Sequence, residues 1–201
     1  EGGVYPCTPE YVAAARALCD DRDVLLAFDE VQTGFYRTGP AFAWQGYGVR
    51  PDVMTLAKSL ANGLPAGALV AVDEAADAFG PGDHGSTFGG GPVIAAAARA
   101  CVRSLAEEEL GRNAVAVGVY LRSELERFAV DTGAVAEIRG VGLMNAVEFT
   151  EPVAVRAVAA ALERGVVLNS IGAHILRILP PLMCGTEEID TLLAVLYEVL
   201  G

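Results

Sequence analysis

Apolar and polar positions along the first half of the chain predict helices that alternate with buried strands. Residues 9–20 carry apolar side chains at helical spacing, with Thr8 as the expected N-cap and Pro9 in the first turn. Three apolar runs predict strands, at residues 24–28, 52–56 and 68–72. The first run is continuous, which is typical of a strand buried on both faces of a largely parallel sheet. The pattern therefore predicts an α/β unit.

Two loops and a helix complete this part of the prediction. Residues 31–50 are rich in Gly, Pro and aromatic residues and predict a long, ordered loop. Residues 80–91 form a second, Gly-rich loop that holds His84, Ser86 and Thr87. Pro92 is expected to begin an Ala-rich helix that ends near residue 108.

The second half predicts a smaller α+β unit after a helix at residues 113–128. Strands are expected at residues 135–139, 144–149, 166–169 and 175–179, and helices at residues 152–164 and 186–200. Thr186 and Glu188 have the residue types of a helix N-terminus. We expect the domain boundary near residue 112, which gives a first domain of residues 1–112 and a small C-terminal domain of residues 113–201.

Composition excludes several classes of protein. The chain has 201 residues, a net charge of −12 and 53% hydrophobic residues, so it is neither disordered nor suited to nucleic acid or anionic membranes as partners. No apolar span is long enough to cross a bilayer, and the N-terminus has no signal-peptide pattern. Because the chain begins at Glu1 rather than Met, we expect a fragment of a longer protein.

The cysteines predict free thiols rather than a metal site. Four cysteines lack CxxC spacing, and only two histidines could complete a metal cluster. We therefore expect no metal ion and a reducing, cytoplasmic location.

Lys58 is the only lysine among 14 basic residues. Lysine can lose its proton when desolvated and bind a carbonyl carbon covalently, whereas arginine stays protonated. A solvated surface lysine would explain Lys58 equally well. Asp29 and Lys58, however, lie at the carboxyl ends of neighbouring predicted strands, and open α/β sheets bind ligands at the carboxyl ends of their strands. A lysine and an aspartate are what pyridoxal phosphate needs, for its aldehyde and its pyridine nitrogen.

Ordered motifs give this pair a family resemblance. They are FDEVQTG at 28–34, RTG at 37–39, TLAK at 55–58, GLP at 63–65, HGSTFGG at 84–90, RGVGL at 139–143 and LRILPPL at 176–182. The set resembles class III, ornithine-type aminotransferases, and its compact spacing is most similar to the acetylornithine branch. The resemblance covers the chain but only the C-terminal half of a family member. It implies the end of a fold type I large domain, with a mostly parallel sheet, followed by a small α+β domain.

The resemblance also implies roles for individual residues in amino transfer between glutamate and an N-acetylornithine-like substrate. Lys58 would be the catalytic residue and hold the cofactor. The other cofactor-binding residues would be Asp29 at the pyridine nitrogen, Val31 on the ring face, Gln32 at the phenolic oxygen, and Ser86 and Thr87 at the phosphate. Thr87 would reach the site of the other subunit of a homodimer. Arg177 would bind a substrate carboxylate, and Glu1 would pair with Arg177 when that carboxylate is absent.

The sequence departs from the family at two places and leaves alternatives open. Gly91 replaces a usual Asn, and Phe35-Tyr36 replaces a pair that usually contains Gly. The family's phosphate turn, ring-stacking aromatic residue and acetylornithine-selecting arginine lie upstream of this chain.

Other class III ω-aminotransferases, acting on ornithine, 4-aminobutyrate or diamines, and an aminomutase of the same fold would share Lys58 and Asp29. A nucleotide hydrolase fragment is a further alternative. Its P-loop would need Gly at positions 52 and 57, which are Asp and Ala. The last alternative is a truncated remnant without catalytic activity.

Overall fold

The computed structural model describes residues 2–200, apart from the side chains of residues 73 and 74, and divides into two compact units. The first unit contains Cys7–Gly111. Of the described residues, the second contains 112–200 together with 2–6. Among residues 2–200, no helix has the length and apolarity needed to cross a membrane.

The first unit is a three-stranded sheet with helices. Its elements are α1 (Pro9–Asp21), β1 (Ala27–Asp29), α2 (Ala43–Tyr47), β2 (Val53–Leu56), a 3-10 turn (Lys58–Leu60), β3 (Ala68–Ala71), α3 (Asp73–Ala76) and α4 (Pro92–Glu107). The strand order is β1-β2-β3. β1 is parallel to β2, and β3 is antiparallel to β2, so this small sheet is mixed.

The N-terminus of α1 has the predicted cap, since the Thr8 hydroxyl accepts the Tyr11 N–H. Asp52, just before β2, connects this helix to the sheet. Its Oδ2 accepts the Leu26 N–H at 2.7 Å and pairs with Arg16 of α1 at 2.7 Å. The Leu26 N–H and then Arg16 hold the pKa of Asp52 below its ordinary value, because both stabilise the carboxylate.

The first predicted strand is shorter and more exposed than expected. β1 begins at Ala27, and Val24 and Leu25 before it are 56% and 59% exposed. β1 is an edge strand, and no described strand pairs with its outer side. The expectation of burial on both faces is therefore wrong within the described part of this chain.

The second unit has helices and one antiparallel sheet with the strand order β4-β5-β7-β6. Its elements are α5 (Leu110–Thr132), β4 (Val135–Val141), β5 (Met144–Phe149), α6 (Ala154–Glu163), β6 (Asn169–Ile171), β7 (Ile175–Ile178) and α7 (Thr186–Leu200). The core is formed by side chains from α5, β5, β7 and α7, including Leu121, Phe128, Phe149, Leu176 and Leu196. Tyr197 packs edge-to-face on Phe128 at 5.0 Å.

One strand of this unit starts later than the apolar pattern predicts. β6 pairs with β7 from Asn169 to Ile171, whereas Val167 is 83% exposed. The chain leaves α6 through Gly165, which has a φ of +80°, and needs several residues to reach the sheet. At the start of α7, the Glu188 carboxylate accepts the Gly185 N–H at 2.8 Å.

Candidate active site at the ends of β1 and β2

Asp29 lies at the carboxyl end of β1, directly beside Thr55 of β2. The two residues are register partners of the parallel pair, and the Thr55 hydroxyl donates to Asp29 Oδ1 at 3.2 Å. The Val31 N–H donates to the same oxygen at 2.9 Å. Asp29 is exposed, and its Oδ2 accepts no hydrogen bond within residues 2–200. Two donors therefore orient the carboxylate and leave one oxygen open to a ligand.

Lys58 follows β2 at the same edge of the sheet. It begins the 3-10 turn with a φ of +48°, a left-handed conformation that is unfavourable for a residue with a side chain. Its side chain is exposed and lines an open cleft of about 460 Å³, together with residues 59 and 62–66. Asp29 does not line this cleft. The parallel pairing of β1 and β2 nevertheless brings Asp29 and Lys58 to one edge of the sheet.

The turn after Lys58 is held by α4. The Cys101 thiol donates to the Ser59 carbonyl oxygen at 3.0 Å, and burial raises the pKa of this thiol. The thiolate is therefore disfavoured, and Cys101 acts as a hydrogen-bond donor beneath the segment that carries Lys58.

Glu30 is a structural residue of the site whose role the sequence did not reveal. It is 1% exposed, and its carboxylate accepts three hydrogen bonds. The donors are the Thr33 hydroxyl at 2.5 Å and the N–H groups of Ala43 at 3.0 Å and Trp44 at 2.9 Å. Successive strand residues point to opposite faces, so Asp29 faces outward while Glu30 fixes the following loop and the start of α2. A second carboxylate directly after Asp29, at the end of the apolar run, was the available signal.

The loop after β1 positions the other predicted residues of this region. Val31 and Gln32 are half-buried directly beyond Asp29. Phe35 and Tyr36 have φ values of +55° and +69°, in the left-handed region that favours glycine. Phe35 is buried and packs edge-to-face on Phe42 at 5.7 Å. Packing of the Phe35 ring thus accompanies a backbone conformation for which the family usually has glycine.

Ser86 and Thr87 lie in the exposed loop before α4. Phe88, which follows them, is 86% exposed, the highest value among the large apolar side chains of the described chain. Gly91 is the N-cap of α4 and provides no side-chain hydrogen bond to the helix.

Arg177 lies in the second unit, at the third residue of β7. It is half-buried, and its register partners are Ala146 of β5 and Asn169 of β6. Glu1, the predicted partner of Arg177, lies outside the described residues. No group of three or more His, Cys, Asp or Glu side chains within the described part of the chain could hold a metal ion.

Comparison with known proteins identifies a family. The class-III aminotransferase family matches residues 1–200. The acetylornithine aminotransferase of Caldanaerobacter subterraneus is 46% identical over 201 residues, which are 100% of this chain and 51% of that protein. The chain thus spans about half the length of the curated relatives it matches.

Solved structures agree with this match. The acetylornithine aminotransferase of Elizabethkingia anophelis superposes with a TM-score of 0.93 at 32% identity, over 100% of this chain and 54% of that one. The ornithine δ-aminotransferase of Plasmodium falciparum gives 0.92 at 34% identity, over 98% and 52%.

Proposed function

This chain belongs to the class-III aminotransferase family, and from that premise we propose that its protein transfers an amino group between glutamate or 2-oxoglutarate and an N-acetylornithine-like ω-amino substrate. Aminotransferases of this class use pyridoxal phosphate. The observation that carries the proposal is the edge of the first sheet, where an exposed lysine follows β2 and an oriented, open carboxylate ends β1. The family match gives no support to a nucleotide hydrolase.

The residues at this edge fit the cofactor chemically. Asp29 Oδ2 is open to a protonated pyridine nitrogen, while Oδ1 is held by Val31 and Thr55. Val31 would contact the ring face, and Gln32 the phenolic oxygen. The hydroxyls of Ser86 and Thr87 would reach the phosphate from the second subunit. When bound, pyridoxal phosphate supplies a ring that accepts the electron pair released at the substrate carbon.

Lys58 would contribute proton transfer. Its Nζ is exposed at the cleft and is the only lysine amine in the chain. Nζ would accept the proton from the amine-bearing carbon of the substrate and donate it to the carbonyl-derived carbon of the cofactor, with the opposite transfer in the reverse reaction. The left-handed backbone at Lys58 and the bond from Cys101 to Ser59 would fix the direction from which Nζ approaches.

Arg177 would select the substrate carboxylate. Its guanidinium can form two parallel hydrogen bonds to a carboxylate, and it projects from a strand whose neighbouring positions are buried and apolar. Glu1 would neutralise Arg177 when the substrate presents no second carboxylate. This pair would allow one site to accept both glutamate and an ω-amino substrate.

The protein would act as a homodimer with shared active sites, in the cytoplasm. Thr87 and the exposed Phe88 occupy a loop suited to contact with a second copy, and Thr87 would reach the cofactor phosphate of that copy. Four free thiols are consistent with a reducing compartment.

The proposal is tested by amino-transfer assays on the protein expressed with any coding sequence that adjoins this chain in its gene. N-acetylornithine should be a better amino donor to 2-oxoglutarate than ornithine or 4-aminobutyrate. Arg177→Lys keeps the charge but loses the paired hydrogen bonds, so the KM for glutamate should rise about tenfold or more. Arg156→Lys, on α6, is the control and should leave this KM unchanged. Transfer that prefers ornithine would overturn the substrate assignment, and absence of any transfer would overturn the function.

A further inference from the structure

A second arginine lies on the same face of the second unit's sheet as Arg177. Arg139 of β4 is the register partner of Ala146 in β5, which is in turn the partner of Arg177 in β7. Directly opposed residues of antiparallel strands project from the same face. The two arginines therefore lie in one row across the sheet, separated by the small side chain of Ala146.

Arg139 is buried, and its charge is already balanced by neighbouring carboxylates. It is 6% exposed, and its Nη1 pairs with Glu137 and with Glu148, each at 2.7 Å. Glu137 and Glu148 are themselves register partners on this face. Because two carboxylates hold Nη1, the guanidinium has a fixed orientation and its remaining atoms can position another segment.

That segment is the chain just before Cys7. The Arg139 Nε–H donates to the Gly3 carbonyl oxygen at 2.7 Å. The guanidinium carbon lies 4.0 Å from the centre of the Tyr5 ring, within the range of a cation–π interaction. One buried side chain thus binds both the backbone and an aromatic ring of residues 3–5.

Gly3 fits this place because it has no side chain. Its φ is +115°, and a Cβ at this position would lie 3.1 Å from Arg139 Nη2, 3.1 Å from Ile175 Cδ1 and 2.9 Å from the Tyr5 ring. Ile175 is two residues before Arg177 in β7, so both side chains project from the same face. Gly3 is therefore held between Arg139 and the strand that carries Arg177.

We propose that Arg139 is a positioning residue for the carboxylate site at Arg177. It would act by holding residues 3–5 against the β4–β5–β7 face, which fixes the chain that borders Arg177 and limits which carboxylates reach it. The inference rests on the proposed role of Arg177. Lysine could not replace Arg139, because one ammonium group cannot pair with two carboxylates, bind the Gly3 carbonyl and cover the Tyr5 ring in the same geometry.

The test uses Arg139→Lys, which keeps the charge that Glu137 and Glu148 require, and Gly3→Ala, which displaces the segment but leaves those ion pairs. In the protein with its adjoining sequence, each variant should raise the KM for glutamate about tenfold, with kcat and cofactor retention nearly unchanged. The KM of the double variant should not exceed that of the more impaired single variant, since both substitutions act through one segment. Arg164→Lys, which affects an exposed pair with Glu198, is the matched control.

Hydrogen exchange of the chain provides a readout independent of activity. Arg139→Lys should speed exchange of the amides of residues 3–5, because the segment would leave the face on which Gly3 is buried, and should leave exchange within β5 and β7 unchanged. An unchanged KM together with unchanged exchange would overturn the inference. Faster exchange throughout the sheet would also overturn it, because Arg139 would then stabilise the fold generally. If Arg177→Lys itself leaves the KM for glutamate unchanged, the proposed role of Arg177 fails instead, and that result is separate from either outcome for Arg139.

Discussion

Gly118→Ala should destabilise the second unit, although alanine is the better helix former. Gly118 lies within α5, and an added Cβ would overlap the Gly142 carbonyl oxygen and lie 2.6 Å from its carbonyl carbon. Ordinary contacts between a carbon and a carbonyl oxygen are about 3.3 Å or longer. The turn between β4 and β5 would therefore have to move by more than about 1 Å.

The size of the expected loss of stability follows from the hydrogen bonds that this movement would break. The Gly142 carbonyl accepts Arg122 Nη1 at 3.2 Å and Asn145 Nδ2 at 3.0 Å, and Asn145 is fully buried. Overpacking costs about 1–3 kcal/mol and each lost hydrogen bond about 1 kcal/mol, whereas the helix gains about 1 kcal/mol from alanine. The free energy of unfolding should fall by about 2–4 kcal/mol.

Urea unfolding followed by far-UV circular dichroism measures this change. Fluorescence of Trp44, the only tryptophan, follows the first unit in the same samples. Gly46→Ala in α2 is the matched control, because the nearest atom to its added Cβ is Pro40 Cγ at 3.9 Å. It should be neutral or slightly stabilising. A Gly118→Ala chain as stable as the parent would refute the packing argument.

Three further predictions follow from the first unit. Glu30→Ala should lower the free energy of unfolding by about 3–5 kcal/mol in urea, because it leaves buried donors without an acceptor, and a loss below about 1 kcal/mol would contradict this role. The pKa of Asp52 is lowered in the folded chain. The Asp52 carboxylate therefore stabilises the fold fully at a pH above its unfolded-state pKa, and this stabilisation is lost as the pH falls through its folded-state pKa. In Asp52→Asn the free energy of unfolding should accordingly fall less steeply at acid pH. An unchanged pH dependence would contradict this prediction. Thr87 is expected to serve the partner's site. Mixing Lys58→Ala with Thr87→Ala protein under subunit-exchange conditions should then restore tight cofactor binding at up to one site per mixed dimer. No recovery would show that Thr87 serves its own subunit.

The sequence predicted the elements whose signals are local. Thr8 and Pro9 mark the start of α1, and the structure shows the expected cap. The apolar run at residues 24–28 was less informative, because apolarity indicates that a segment is buried in some assembly, not which residues pair. Residues such as Val24 are exposed within this chain, and the strand is correspondingly short.

The candidate site was predictable only in part. Lys58 stood out because it is the only lysine, and Asp29 because it follows a strand. The roles of Glu30 and Arg139 could not be read in the same way. Glu30 binds residues 13 and 14 positions away, and Arg139 binds Gly3 at a separation of 136. Such partners depend on the folded path of the chain, which local patterns do not contain.

Lys58 is the residue that we expect to form the covalent bond to pyridoxal phosphate. The most direct measurement is borohydride reduction of the protein, expressed with any adjoining coding sequence and loaded with the cofactor, followed by peptide mapping. We expect a pyridoxyl group on Nζ of Lys58, at about one per chain, with loss of the label and of the visible absorption band in Lys58→Arg. A label on a lysine outside these 201 residues, with Lys58 unmodified, would contradict this assignment of Lys58.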